Sequence, residues 1–216
     1  MTRFYRLLLL ALLALTPVSL VRASQQNPVT LDVHAGYDDR GQYHVGHWFP
    51  VQVVVANDGG DLSGTIEWRF AGESQPAFRS LIDLPRGARK QVLLPVISVN
   101  DDRTAVLQLV VNGQALAKSV VRLNPIASDT ALVGVLSSDQ TLLNSLSTTQ
   151  LVSGFSTELS RMAADLFPTD PMLLAGLDVM VIHDIDLTIL SDAQRAALAS
   201  WVDLGGTLLV GGGPDA

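Results

Sequence analysis

The sequence predicts two folds in series: an antiparallel β-sandwich over residues 28–124, then an incomplete, doubly wound parallel α/β domain over residues 129–216. Three observations carry this. From Val29 to Leu123 about seven short strand-like runs recur at regular spacing, separated by polar turns and with no good helix among them. Val179–Ile182 and Thr207–Val210 are instead unbroken apolar runs of strand length, as expected for strands covered on both faces. Between those two runs lies a helix with legible ends, giving a strand–helix–strand crossover.

The elements follow in chain order. Residues 1–23 read as an export signal: Arg3 and Arg6 precede an apolar core from Leu7 to Leu15, and Val21-Arg-Ala23 offers a small-x-small cleavage site. The core is short for a bilayer span and is followed by Thr16 and Pro17, so cleavage is favoured over an uncleaved anchor. In the sandwich, the predicted strands are Val29–Tyr37, Trp48–Ala56, Gly64–Phe70, Phe78–Leu84, Lys90–Ile97, Ala105–Val111 and Leu116–Leu123. Asn57-Asp-Gly-Gly60 and Asn112-Gly113 are turn compositions, the latter suited to a two-residue hairpin. Trp48 and Trp68 are expected to help fill the core. Asn124-Pro125 marks the domain boundary.

Beyond it, Ala131–Leu136 is a buried-strand candidate, and Asp139–Leu146 predicts a short helix that groups Leu142, Leu143 and Leu146. Leu151–Leu166 carries both periods; a short strand followed by a loop through Pro168 and Pro171 is the favoured reading. The crossover helix should begin at Ser191, which has capping-box spacing to Gln194, and stop at Gly205-Gly206. Its packed side comprises Gln194, Ala197, Leu198, Trp201 and Leu204.

Composition narrows the function. With no cysteine, neither a disulfide scaffold, nor cysteine catalysis, nor a thiolate metal site is available. The formal charge is −7; without the signal, 11 basic residues face 21 acidic ones, a charge of −10. Such a surface repels nucleic acid and anionic lipid. The expected address is extracytoplasmic and envelope-associated, with contact to a membrane only through an uncleaved signal or a missing C-terminal segment.

Leu177-Asp-Val-Met-Val-Ile, Leu190-Ser-Asp-Ala-Gln-Arg-Ala-Ala-Leu and Trp201-Val-Asp-Leu-Gly-Gly-Thr-Leu-Leu-Val-Gly-Gly-Gly resemble the class I glutamine amidotransferase-like fold. The similarity is to the flavodoxin-like variant of exported or membrane-anchored bacterial proteins. There it follows an immunoglobulin-like domain, whose opening strands Gly46-His-Trp-Phe-Pro-Val-Gln-Val-Val-Val-Ala-Asn57 resemble. The resemblance implies an immunoglobulin-like sandwich at 28–124 and an amidotransferase-like domain at 129–216. It also implies a nucleophilic cysteine on the turn after the strand that follows Gly205-Gly206. Here Gly211-Gly-Gly213 occupies that turn, which excludes the family's chemistry through it.

Two neighbouring stretches remain as ligand-binding candidates at the carboxyl edge of the parallel sheet. Gly211, Gly212 and Gly213 could present backbone N–H groups to an anion, although a tight strand exit explains them as well. Asp184 and Asp186, beside His183, suit a cation or proton transfer, against the alternative of a polar loop whose carboxylates bond nearby backbone and prepare the Ser191 cap. Asp38-Asp39 with His44 and His47, and Asn100-Asp-Asp102, read as turns at surface or edge positions. No catalytic residue, metal site or cofactor is assigned. The expectation is a non-enzymatic binding or scaffolding module, its partner an unidentified envelope protein or ligand. The alternatives are a small-molecule or metal-dependent enzyme or binder using the carboxyl edge, and carbohydrate binding through an exposed Trp48 or Tyr43.

Overall fold

The computed structural model describes residues 28–72, 76–148 and 154–212; the expected signal at 1–23, Gly213 and the first residues of Leu151–Leu166 lie outside them. The described chain is mostly β, arranged in several sheets. The first unit contains β1 (Val29–Ala35), β2 (Gln42–His44), β3 (Trp48–Asn57), β4 (Leu62–Phe70), β5 (Phe78–Leu84), β6 (Arg89–Ile97), β7 (Thr104–Val111) and β8 (Gln114–Arg122). Sheets of order β1-β3-β6 and β5-β4-β7-β8, antiparallel throughout, face each other across one core. Alternation sets that core: Phe49, Val51, Val53 and Val55 of β3 meet Ile66 and Trp68 of β4 and Leu107 and Leu109 of β7. The β7–β8 hairpin turns on Asn112 and Gly113 with φ of 52° and 78°, the pair of positive values a two-residue turn requires.

Trp48 departs from its expected place in the core. It is half-buried at the start of β3, its ring edge-on to Phe78, while Trp68 is fully buried. Tyr43 of the unforeseen strand β2 is the aromatic that completes the core, stacked on Phe49 at 4.7 Å. Its hydroxyl is shared between the carbonyls of Asn100 and Asp102 at 3.0 and 2.9 Å, and burial raises its pKa to about 12. A buried Tyr43 offers no platform for a sugar.

The second unit contains β10 (Thr130–Ser137), β11 (Ser156–Arg161), β12 (Val179–His183), α1 (Asp192–Asp203) and β13 (Thr207–Gly211). Its four strands are parallel, in the order β11-β10-β12-β13. One face carries Leu132, Met180 and Ile182 against Leu198 and Trp201 of α1; the other carries Val133, Val135 and Val181 beneath Leu142, Leu143 and Leu146. Those three leucines group as their spacing predicts, but not on an α-helix. Asp139 diverts its carboxylate to the Thr141 amide and hydroxyl, both at 2.7 Å, and Leu143 turns to φ 63°. A 3₁₀ turn at Asn144–Thr148 follows. Among the described residues no helix is long and apolar enough to cross a membrane.

α1 has the ends its sequence predicts. Ser191 and Gln194 form the reciprocal capping box. Gly205, at φ 105°, and Gly206 return their amides to the Val202 and Trp201 carbonyls, a Schellman closure. Leu204 does not join the packed side: as the residue leaving the helix it is 76% exposed.

Asn124-Pro125 is no free linker. Asn124–Ile126 forms β9, which runs parallel to β2 and so ties the chain back to the first unit before β10 begins. The second unit also covers the outer face of β3. Pro50 and Gln52 point away from the sandwich core and are nevertheless buried, with the Gln52 amide donating to the Leu166 carbonyl and its Oε1 accepting from Gln91.

Candidate functional site

The carboxyl edge of the parallel sheet is built by the ends of β10, β12 and β13. His183 closes β12, and its ring lies on Gly211 of β13; a Cβ there would stand 2.7 Å from the His183 Cδ2. A side chain at Gly211 would therefore have to displace the His183 ring. Asp184 follows at φ 48°, its amide donating to the Gly211 carbonyl at 3.3 Å and its own carbonyl accepting from the Ser138 hydroxyl at 3.0 Å. Asp186 caps the 3₁₀ turn Leu187–Ile189, accepting from the Thr188 amide at 2.8 Å and hydroxyl at 2.6 Å. The Thr188 hydroxyl, then its amide, lower the Asp186 pKa. The stretch therefore brings Asp184 and Gly211 into contact and occupies Asp186 in a local turn. Gly212 is exposed beyond the strand. Among the described residues no group of three or more His, Asp or Glu is placed to hold a metal ion.

A cleft lies elsewhere, at the opposite, amino edge of the same sheet and against the sandwich. It encloses about 650 Å³ and is lined by His44 and His47 from one unit, Asp101 and Arg103 from the β6–β7 loop, and Phe155 and Asp178 from the other unit. None of Asp184, Asp186, Gly211 or Gly212 lines it. Asp178, just ahead of β12, accepts from the β10 amide of Leu132 at 2.7 Å and pairs with His44 Nε2 at 3.2 Å, joining the units. His47 stands edge-on to His44 at 5.9 Å. The His44 side chain is only 13% exposed, so it is an interface residue and not the surface position its sequence context suggests. Nearby, Gln42 donates to Glu158 at 3.0 Å, a second polar clasp.

The floor of the cleft includes Gly176. A Cβ at this position would lie 2.7 Å from the Tyr37 hydroxyl and 3.3 Å from the Trp48 carbonyl oxygen, so the two units close only around a glycine. Tyr37 is 3% exposed, and its hydroxyl has no hydrogen bond of good geometry. Burial pushes its pKa far above that of a free phenol, opposed by the Gly176 amide and reinforced by the Asp178 carboxylate. Chemically, the cleft offers acceptors, donors and one exposed aromatic ring. No nucleophile is hydrogen-bonded to either histidine among the described residues. Sequence reasoning missed it because its residues belong to loops far apart in the chain. One signal was present: Val53-Val-Val-Ala56 lacks the alternation of a half-solvated strand, which foretells cover on the outer face of β3.

Residues 28–124 match the family model described as "Domain of unknown function (DUF8726)", over the whole of the first unit. No curated protein matches the chain. Among solved structures, the chain is similar to the sensor domain of the anti-sigma factor RsgI4 of Pseudobacteroides cellulosolvens, with TM-score 0.32 and 9% identity over 46% of this chain and 97% of that one. It is similar to the sporulation control protein Spo0M of Bacillus subtilis, with TM-score 0.32 and 11% identity, covering 47% of this chain and about half, 51%, of that one. A complex of the exo-chitosanase CsxA of Amycolatopsis orientalis matches with TM-score 0.38 and 9% identity over 85% of this chain and 32% of that one.

Proposed function

We propose that this chain is a non-catalytic binding or scaffolding module of an exported, envelope-associated protein. In this reading an immunoglobulin-like sandwich is joined to a doubly wound α/β domain of the glutamine amidotransferase-like type. The observation that carries it is the strand exit after β13. Where that fold would place its nucleophile stands Gly211, and the Asp186 carboxylate serves a turn with Thr188. A cleft of about 650 Å³, the candidate binding surface in this reading, lies at the other edge of the sheet.

Two measurements test the two halves of this reading. Release of ammonia from glutamine and of p-nitrophenol from esters should equal the buffer rate; turnover that Asp184→Asn abolishes would overturn the non-catalytic assignment. Residues 1–27 fused to alkaline phosphatase should yield active enzyme outside the cytoplasm, and an inactive fusion retained in the cell removes the exported address.

One observation favours a small-molecule binder at the carboxyl edge as the second reading. The Nδ1 atom of His183 is buried without a partner, next to Asp184 in a conformation that costs a non-glycine residue energy. Thermal shifts with divalent metals and with phosphate decide it: a shift lost in the Asp184→Asn, Asp186→Asn double variant supports the edge site, and unchanged melting with every probe removes it.

A further inference from the structure

We infer that the junction between the two units is a pH-sensitive clasp, which acid strengthens through His44 and Asp178 and alkali loosens. Across the junction, Gln52 donates to the Leu166 carbonyl, Gln42 donates to Glu158 at 3.0 Å, Arg40 lies 3.7 Å from the same Glu158, and His44 Nε2 stands 3.2 Å from Asp178 Oδ2. Of these groups only His44 changes charge between about pH 5 and 8. The other histidines are placed differently. His34 pairs with Asp32 and Asp39 within the first unit, His183 packs on Gly211 within the second, and His47 lines the cleft beside His44.

The pair is built so that a proton matters. The Leu132 amide holds Asp178 Oδ2 from the second unit at 2.7 Å, which fixes the carboxylate in front of His44. The His44 side chain is only 13% exposed, so little water competes at its ring. A neutral imidazole gives a carboxylate an ordinary N–H bond; an imidazolium gives a charge-assisted one, roughly twice as strong. Asp178 itself is 52% exposed, and solvent screening keeps the gain modest.

The surrounding charges act in the same direction. Facing the pair are Asp101 and Arg103 on the β6–β7 loop, Asp129 on the segment after β9, and His47 on the β2–β3 turn. With neutral histidines, the three carboxylates Asp101, Asp129 and Asp178 meet one guanidinium, and two negative charges stay uncompensated. Protonation of His44 and His47 cancels both. His47, edge-on at 5.9 Å, repels His44 when both are charged, but it is exposed and screened by solvent. Tyr37, behind Gly176, stays neutral throughout, since burial pushes its pKa far above this range. The folded chain therefore binds the His44 proton more tightly than the unfolded chain does. Its contribution to stability is complete well below about pH 6.5, where a free imidazole is charged, and is lost as pH rises beyond that. Asp178 lies two residues from Gly176, around which the units close, so the clasp sets how firmly the walls of the cleft are held.

A double-mutant cycle of His44→Gln and Asp178→Asn, in urea unfolding at about pH 5.5 and about pH 8, tests the clasp. Glutamine keeps an uncharged donor near the Nε2 position, and asparagine keeps an acceptor for the Leu132 amide. The coupling between the two positions should change the unfolding equilibrium about fivefold in acid and less than about twofold at the alkaline end. Coupling of equal size at both pH values, or larger at about pH 8, overturns the clasp. Proton NMR supplies a second measurement: the His44 ring signal should keep its protonated position to higher pH in wild type than in Asp178→Asn, and coincident titrations overturn the clasp. His47→Gln should leave both results standing; loss of the pH dependence in that variant would assign it to His47 and remove the role of His44.

Discussion

Glu67 shows how a single side chain can be buried on a face that alternation assigns to solvent. It points outward from β4 yet is only 6% exposed, because Arg79 and Gln108 stand directly across from it on β5 and β7. Arg69 and Arg79 each donate through Nε at 2.5 Å and Gln108 donates at 2.9 Å. The Arg69 bond is the leading cause of a pKa lowered from 4.5 to about 2; burial opposes it, and Arg79 and Gln108 add to it. A carboxylate held below its unfolded value stabilises the fold wherever the unfolded chain would take up the proton and the folded chain would not. The contribution of Glu67 is thus fully present above pH 4.5 and is lost as pH falls through about 2. Urea unfolding at a series of pH values should show the gap between wild type and Glu67→Gln closing across that window. A gap independent of pH would show that the charge of Glu67 contributes nothing.

At the scale of elements, α1 was the most legible piece of the chain because both its ends are written in local residues. Ser191→Ala removes the acceptor of the Gln194 amide and should cost about 1 kcal/mol in chemical denaturation. Gln194→Ala should cost more, since the buried Gln194 side-chain amide also donates to the Ala164 and Phe167 carbonyls at 2.8 and 2.9 Å, and its loss leaves Ala164 with only the Phe167 amide and the Phe167 carbonyl without that donor. Equal losses would mean the Phe167 carbonyl finds another donor. The sandwich strands were legible for a related reason: one buried face imposes period two. β2 was not, since Gln42–His44 has no apolar pattern and its partner β9 lies far along the chain with Pro125 at its centre. At Asp139–Leu146 the leucine spacing located the packed side chains correctly, but several backbones satisfy that spacing, and a local Asp139–Thr141 bond selected turns. The candidate residues divide in the same way. Asp184, Asp186 and Gly211 sit at the strand ends where the pattern placed them, whereas the cleft depends on how two units meet and left only the unalternating run of β3 as a trace.

On the scale of the whole molecule, the units are joined by contacts that demand registry. Gln52 donates into the second unit from the back of the sandwich, Gln42 reaches Glu158, His44 reaches Asp178, and Tyr37 of the first unit belongs to the core of the second. β9 holds the connecting segment to β2 throughout. Buried polar groups of this kind are satisfied in one arrangement only, so separating the units strands several at once. The units should therefore unfold as one, and the tryptophans report on it separately: Trp68 is buried in the sandwich core and Trp201 in that of the parallel sheet. In variants that retain one or the other as the fluorophore, the urea midpoints should coincide. Gly176→Val tests the cause. Its new side chain begins 2.7 Å from the Tyr37 hydroxyl and 3.3 Å from the Trp48 carbonyl oxygen, and neither backbone nor buried ring can give way cheaply. The overpacking should cost about 1–3 kcal/mol. Because that cost falls on the interface and on neither core, it should separate the two midpoints, with Trp201 unfolding first, since β13 leaves Leu209 and Val210 exposed on an edge with no further strand among the described residues. Midpoints that stay coincident in the variant would place the coupling elsewhere than at Gly176.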